Sequence, residues 1–191
     1  MPARAVRIVV LASGRGSTLR AILDADPGGF GARVVAAGTD VKGCPAMAHA
    51  EEHGIETFAV GLGDFHDRAA WNDALAESLT GHRPDLVVLA GFMRILGPGV
   101  VRRFRIVNTH PSLLPSFPGP HPVRDALAAG VERTGVTVHW VDDGVDTGPV
   151  IAQAEVSVVA GDDEASLTAR IQAVEKPFYV AAIRQLCQEI R

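Results

Sequence analysis

Four short apolar runs rich in β-branched residues alternate with longer amphipathic stretches, and this alternation restricts the chain more than any other feature. The runs are RIVVLA at 7–12, RVVAAGTD at 33–40, IETFAV at 55–60 and DLVVLAG at 85–91. A strand covered on both faces reads as an unbroken apolar run, whereas a helix lying on a sheet spaces its apolar residues three and four apart. STLRAILDA, CPAMAHAEEH and FHDRAAWNDALAESL have the second spacing, with charged residues on the other face. Strand, helix, strand in this order predicts parallel βαβ units, hence an α/β protein with a predominantly parallel twisted sheet flanked by helices.

The second half departs from that rhythm. A strand around RIVN (105–108) precedes THPSLLPSFPGPHP, where Pro111, Pro115, Pro118, Pro120 and Pro122 forbid regular structure and predict a stiff loop. VTVHWV (136–141) and VIAQAEVSV (150–158) read as strands flanking the turn DDGVDTGP, and a last helix runs from about Asp163 to Cys187, with Pro177 marking a kink. No linker, repeat or low-complexity tract interrupts the 191 residues, so they form a single domain, 1–191. Its N-terminal part, about 1–100, carries the glycine loop and most of the sheet; about 101–191 carries the proline-rich and turn loops and the last helix.

In such sheets the loops beyond the carboxyl ends of the strands gather on one edge, where ligands bind. SGRGST, GFMRIL, NTHPS and DDGVDTG all fall there. SGRGSTL, Ser13 to Leu19, joins a strand to a helix, so backbone N–H groups freed by Gly14 and Gly16 can face an anion, phosphate by preference. The same pair also fits an ordinary tight turn. It is not a P-loop, since no GK[ST] follows, and Leu19 replaces the third glycine of the dinucleotide fingerprint; Asp40, at the end of the second strand, keeps a nucleotide reading open.

After the fifth strand, the Asn108 amide can donate to a developing oxyanion and the His110 imidazole can reach the same atom. Both also fit as residues satisfied within a turn. Asp146, a carboxylate in a glycine-rich turn on the same edge, can orient His110, favour its imidazolium form and relay a proton. His121 and His139 are candidate second-layer partners of Asp146, and Thr137 shares a strand face with His139. These histidines lack HxH or HxxxH spacing and neither cysteine assists them, so no metal is expected. No activated serine or cysteine motif points to a covalent acyl-enzyme.

Composition narrows the partners. A formal net charge of −4 gives no general reason to expect nucleic acid or an anionic membrane surface. Cys44 and Cys187 lie far apart, outside any redox or zinc motif, and are expected to be reduced. The opening MPARAVRIVVLASG has too short an apolar run for a spanning helix or a signal peptide, which predicts a cytoplasmic protein.

Taken in order and spacing, SGRGST, VVLAGFMRIL, NTHPSLLPSFPG, TVHWV and DDGVDTGPVI closely resemble the phosphoribosylglycinamide formyltransferases of de novo purine synthesis, over nearly the whole chain. The resemblance implies a Rossmann-like formyltransferase fold and transfer of a formyl group from 10-formyltetrahydrofolate, the co-substrate, to the amine of glycinamide ribonucleotide, without a metal. It implies Asn108, His110 and Asp146 as the catalytic residues. The backbone of Gly16, Ser17 and Thr18 would hold the acceptor phosphate, and Gln172, Ala173, Val174 and Glu175 the rest of the ribonucleotide. The folate would enter between Met93, Arg94, Ile95 and Leu96 and the loop Asp142, Asp143, Gly144, Val145 and Asp146, beside Asn108, with Arg68 meeting its acidic tail. A homodimer is left open.

Three departures from the family pattern stand out. Pro120 and Pro122 stand where many relatives have alanine, Thr18 where the phosphate loop commonly ends in Asn, and the chain ends at Arg191 where many continue. Three other functions share these motifs: a formyltetrahydrofolate hydrolase, expected to carry an extra N-terminal regulatory domain; a methionyl-tRNA formyltransferase, expected to carry a basic C-terminal domain for tRNA phosphates; and a folate- or nucleotide-binding module without catalysis, against which the intact Asn108, His110 and Asp146 speak.

Overall fold

A computed structural model describes residues 4–191. The first strand shows how the sheet is covered. In β1 (Val6–Leu11), Ile8 and Val10 point into one apolar layer and Val9 and Leu11 into the other, and all four are fully buried. Continuous burial on both faces explains why this strand reads as an unbroken apolar run.

The remaining strands are β2 (Ala32–Thr39), β3 (Glu56–Ala59), β4 (Leu86–Leu89), β5 (Ile106–His110), β6 (Arg133–Trp140) and β7 (Val150–Ser157). They form one seven-stranded sheet in the order β3-β2-β1-β4-β5-β6-β7. The pairs from β3 to β5 are parallel, as expected of βαβ units, whereas β6 and β7 join antiparallel. The short DDGVDTGP turn cannot carry a crossover, so β7 must return antiparallel to β6.

Helices α1 (Ser17–Asp24), α2 (Ala46–Glu52) and α6 (Glu164–Ile190) cover one face; α3 (Arg68–His82) and the single turn α4 (Pro98–Val101) cover the other. A smaller cluster, with Val123, Val136, Val156, Leu167 and Ile171, seals the antiparallel edge beneath α5 (Pro122–Ala128). Helix α5 stands where the sequence predicts only a stiff loop through Pro122. Pro122 is the first residue of that helix, a position where its missing N–H and fixed φ cost nothing. Helix α6 continues through Pro177 as far as Ile190. Both cysteines are free and buried, and burial pushes the Cys187 thiol up to about 11. Among the described residues, no helix is long and apolar enough to cross a membrane.

Two features of the sheet create the site. The strand order reverses at β1, so the loops after β1 and β4 leave a crevice between them. Next to it, β4 and β5 are in register over only two residue pairs before their ends part. Where they part, the buried Tyr179 of α6 brings its hydroxyl to Leu89 O (3.1 Å) and Val107 O (2.9 Å). This supplies carbonyls that the ladder no longer pairs.

Candidate active site

The cleft has a volume of about 470 Å³, within the range of small-molecule sites. One wall is the segment 91–96 after β4, the opposite wall is the 142–146 turn, and the floor is the end of β5. Strand β5 extends through His110, so Asn108, Thr109 and His110 belong to the strand and not to a loop after it. The correction has a geometric consequence. In antiparallel register Asn108 pairs with His139 and His110 with Thr137, so side chains from β6 stand beside the floor residues.

Asn108 Nδ2 lies 3.3 Å from His139 Nε2, and His139 Nδ1 lies 2.9 Å from Trp140 O. A carbonyl only accepts, so Nδ1 carries the hydrogen and Nε2 offers its lone pair to the Asn108 amide. Burial lowers the His139 pKa, partly opposed by its bond to Trp140 and by Asp146. Neutral His139 therefore sets the orientation of Asn108, with a second amide hydrogen left over.

His110 is held by the proline-rich loop. Its Nε2 donates to Phe117 O at 2.8 Å, which leaves Nδ1 facing Asp146 Oδ2 at 3.4 Å. Asp146 Oδ2 also accepts from Gly119 N at 2.9 Å, and Oδ1 lies 3.7 Å from His139 Nε2. The Asp146 backbone has φ +55°, in the left-handed region, where Asp and Asn are the commonest residues after glycine. That conformation turns the carboxylate inward, and its side chain is 12% exposed. The loop is clamped in turn by Ser112 Oγ to Ser116 O at 2.6 Å and by Thr137 Oγ1 to Ser112 O at 2.7 Å.

The geometry therefore brings Asn108, His110, His139 and Asp146 together. It does not bring His121, which is exposed at the N-cap of α5 and forms neither a hydrogen bond nor an ion pair with Asp146. Nor does Thr137 touch Asp146: its buried hydroxyl also receives Leu114 N (3.0 Å) and Gln153 Nε2 (2.9 Å), so it anchors the loop. The Phe117 carbonyl and the Gly119 N–H have no counterpart among the groups the sequence points to. Both are backbone groups, so no residue type could flag them.

The wall residues divide into two groups. Met93, Arg94, Ile95 and Leu96 line the cleft, with Met93 and Ile95 exposed, as do Asp142, Gly144 and Val145. Asp143 does not line it, since its carboxylate pairs outward with Arg102 at 2.8 Å. Arg68 also lies outside, where its guanidinium donates to Ile95 O and props the wall from behind. The Arg94 side chain turns away to Asp40, leaving that residue's backbone at the cleft. The Asp40 carboxylate, 1% exposed and engaged by Ser13 and Arg94, is closed off from the nucleotide contact that the sequence leaves open.

At the glycine loop, Gly16 is the N-cap of α1 with φ +77°, and no side chain caps the helix. The N–H groups of Ser17 and Thr18 thus point out of the first turn, toward the exposed side of the loop. A Cβ on Gly16 would stand 2.6 Å from Ala46 Cα and Cβ, so this glycine is also required for α1 to pack on α2. Of the α6 residues, Gln172 and Ala173 are exposed and Val174 and Glu175 half-buried. Burial raises the Glu175 carboxyl above its usual range, while Thr109 and Lys176 act in the opposite sense. Thr109 Oγ1, on the end of β5, is itself buried against this part of α6 and meets no other hydrogen-bond partner. Among the described residues, no group of three metal-binding side chains converges.

The family model for formyl transferase matches residues 6–183. The chain is 53% identical over 187 residues to a phosphoribosylglycinamide formyltransferase of Mycobacterium tuberculosis strain H37Rv, covering 97% of this chain and 86% of the relative. It is 43% identical to that of Escherichia coli K12, over 93% and 85% respectively. The crystal structure of glycinamide ribonucleotide transformylase 1 from Symbiobacterium toebii superposes with a TM-score of 0.93 at 41% identity, covering 97% of this chain and 89% of that one.

Proposed function

Because this chain belongs to the formyl transferase family, among its phosphoribosylglycinamide formyltransferases, we propose that the cleft moves a formyl group from 10-formyltetrahydrofolate to the amine of glycinamide ribonucleotide, with Asn108, His110 and Asp146 as the reacting groups. The chain is an enzyme of de novo purine biosynthesis. The observation that carries the assignment of residues is the convergence of an oriented amide and an imidazole with one nitrogen already committed, both on the floor, with a half-buried carboxylate from the wall beside them.

The acceptor amine attacks the formyl carbon, and the carbonyl electrons move to oxygen. Asn108 donates its spare amide hydrogen to that oxygen, and protonated His110 stabilises the same charge. Asp146 receives the proton that the attacking amine must lose and, directly or through water, returns one to the folate nitrogen as its bond to the formyl carbon breaks. Atoms and protons balance without a metal. The walls at 93–96 and 142–146 take the pterin, whose ring edges meet backbone groups. The Ser17 and Thr18 amides hold the acceptor phosphate as an anion at a helix N-terminus, a role for which the Thr18 side chain is not needed. Glu175, with Gln172, Ala173 and Val174 before it on α6, faces the remainder of the ribonucleotide.

The test is release of deformylated folate, followed by absorbance, with and without glycinamide ribonucleotide. Acceptor-dependent release is expected. Equal release without acceptor would replace the transferase by a hydrolase.

A further inference from the structure

The Asp40 carboxylate, 1% exposed, has both oxygens engaged: Ser13 Oγ donates to Oδ1, and Arg94 Nε donates to Oδ2 at 2.6 Å. Ser13 Oγ itself accepts from Met93 N at 2.9 Å, and Ser13 N donates to Gly91 O at 3.1 Å. Ser13 opens the glycine loop after β1, whereas Met93 and Arg94 form the cleft wall after β4. One buried anion at the end of β2 thus binds two loops assigned to different substrates. The other clamps on that wall, Arg68 to Ile95 O and Asn72 Oδ1 to Gly97 N at 2.7 Å, come from α3 and do not touch the glycine loop.

We propose that Asp40 is a positioning residue that couples the two substrate sites, so that each substrate binds more tightly when the other is present. The inference rests on the assignment of the two loops made above. Charge-assisted bonds to a buried carboxylate are short and directional, and the Ser13 hydroxyl has a single hydrogen. While Asp40 holds that hydrogen, a Ser13 lone pair is aimed at Met93 N–H. Without it the hydroxyl rotates, Arg94, whose side chain is 39% exposed, turns to solvent, and the wall is free to move independently of the acceptor loop. An acceptor phosphate that orders residues 16–18 would then no longer order Met93 and Arg94.

The experiment is calorimetric titration of a non-reactive folate analogue with and without saturating glycinamide ribonucleotide, on wild type, Asp40→Asn and Ser13→Ala, with circular-dichroism melts of each. In wild type the analogue should bind roughly 5-fold or more tighter in the presence of the acceptor, the low end of ordinary coupling between sites. In both variants that ratio should fall to within about 2-fold of unity. KM values should rise while kcat stays within a few-fold, a split that general loosening of the fold would not give. If Asp40→Asn does not fold, Ser13→Ala, which changes only a half-buried hydroxyl, decides the matter. A ratio near unity in wild type, or an unchanged ratio in a folded variant, overturns the coupling. Failure of wild type to bind either ligand overturns the functional reading on which it rests.

Discussion

Asn108 and His139 face one another across β5 and β6, with Asn108 Nδ2 3.3 Å from His139 Nε2, so the orientation of the amide proposed as oxyanion donor is set by a histidine on the neighbouring strand. That bond requires an unprotonated Nε2, and burial lowers the His139 pKa accordingly.

Stability should therefore depend on pH through His139. Its folded pKa lies below the ordinary value of 6.5, so above 6.5 neither state holds the proton and no stability is lost. As pH falls from 6.5 through the folded value, the unfolded chain binds the proton first and the native state is progressively destabilised. Calorimetric melts from pH 8 to pH 5 should show this decline, and His139→Gln should flatten it. The same variant should lower kcat by roughly 10-fold or more through loss of orientation of Asn108. An equally steep decline in the variant would assign the effect to other groups.

Asp146→Asn should preserve the fold and the binding of both substrates while lowering kcat and kcat/KM together by at least ~100-fold. Asn accepts the left-handed backbone at φ +55° as readily as Asp, and its amide oxygen can still accept from Gly119 N. It cannot take up or return a proton, and it removes the charge 3.4 Å from His110 Nδ1. Steady-state kinetics beside calorimetric binding of the folate analogue make the comparison. A kcat within a few-fold of wild type would reduce Asp146 to a turn residue.

Loss of the acceptor's 5′-phosphate should raise KM strongly, because the contacts proposed at Ser17 and Thr18 would provide uniform binding. From the sequence, Gly16→Val is expected to mimic this by blocking approach of the backbone to phosphate. The structure adds a second cause: at φ +77° and 2.6 Å from Ala46, any side chain is strained and displaces α1 from α2. Gly16→Ala should thus raise the acceptor KM and also destabilise the protein by roughly 1–3 kcal/mol. Unchanged melting together with a raised KM would restore the simpler explanation.

Activity should survive exhaustive chelation with EDTA, since protein donors stabilise the oxyanion in the proposed transfer. Elemental analysis before and after treatment checks it. Stoichiometric metal lost together with activity would require a different mechanism.

The sheet was legible in the sequence because its cause is local. A strand buried on both faces must be apolar throughout, so β1 and β4 declare themselves, and the spacing of residues such as Leu75 and Leu79 declares the helix that covers them. The motifs likewise located Asn108, His110 and Asp146 by residue type and by their place at the carboxyl edge of the sheet. What tertiary structure decided is how those groups are aimed. The extension of β5 through His110, the left-handed backbone at Asp146 and the proline-rich loop that brings the Phe117 carbonyl to His110 and the Gly119 N–H to Asp146 all depend on chain segments meeting across the fold. Every residue but proline offers the same backbone donor and acceptor, so no sequence pattern marks them. Asp40 illustrates the same limit for side chains: a carboxylate at a strand end is compatible with a nucleotide contact until Ser13 and Arg94, from two other loops, are seen to occupy both its oxygens.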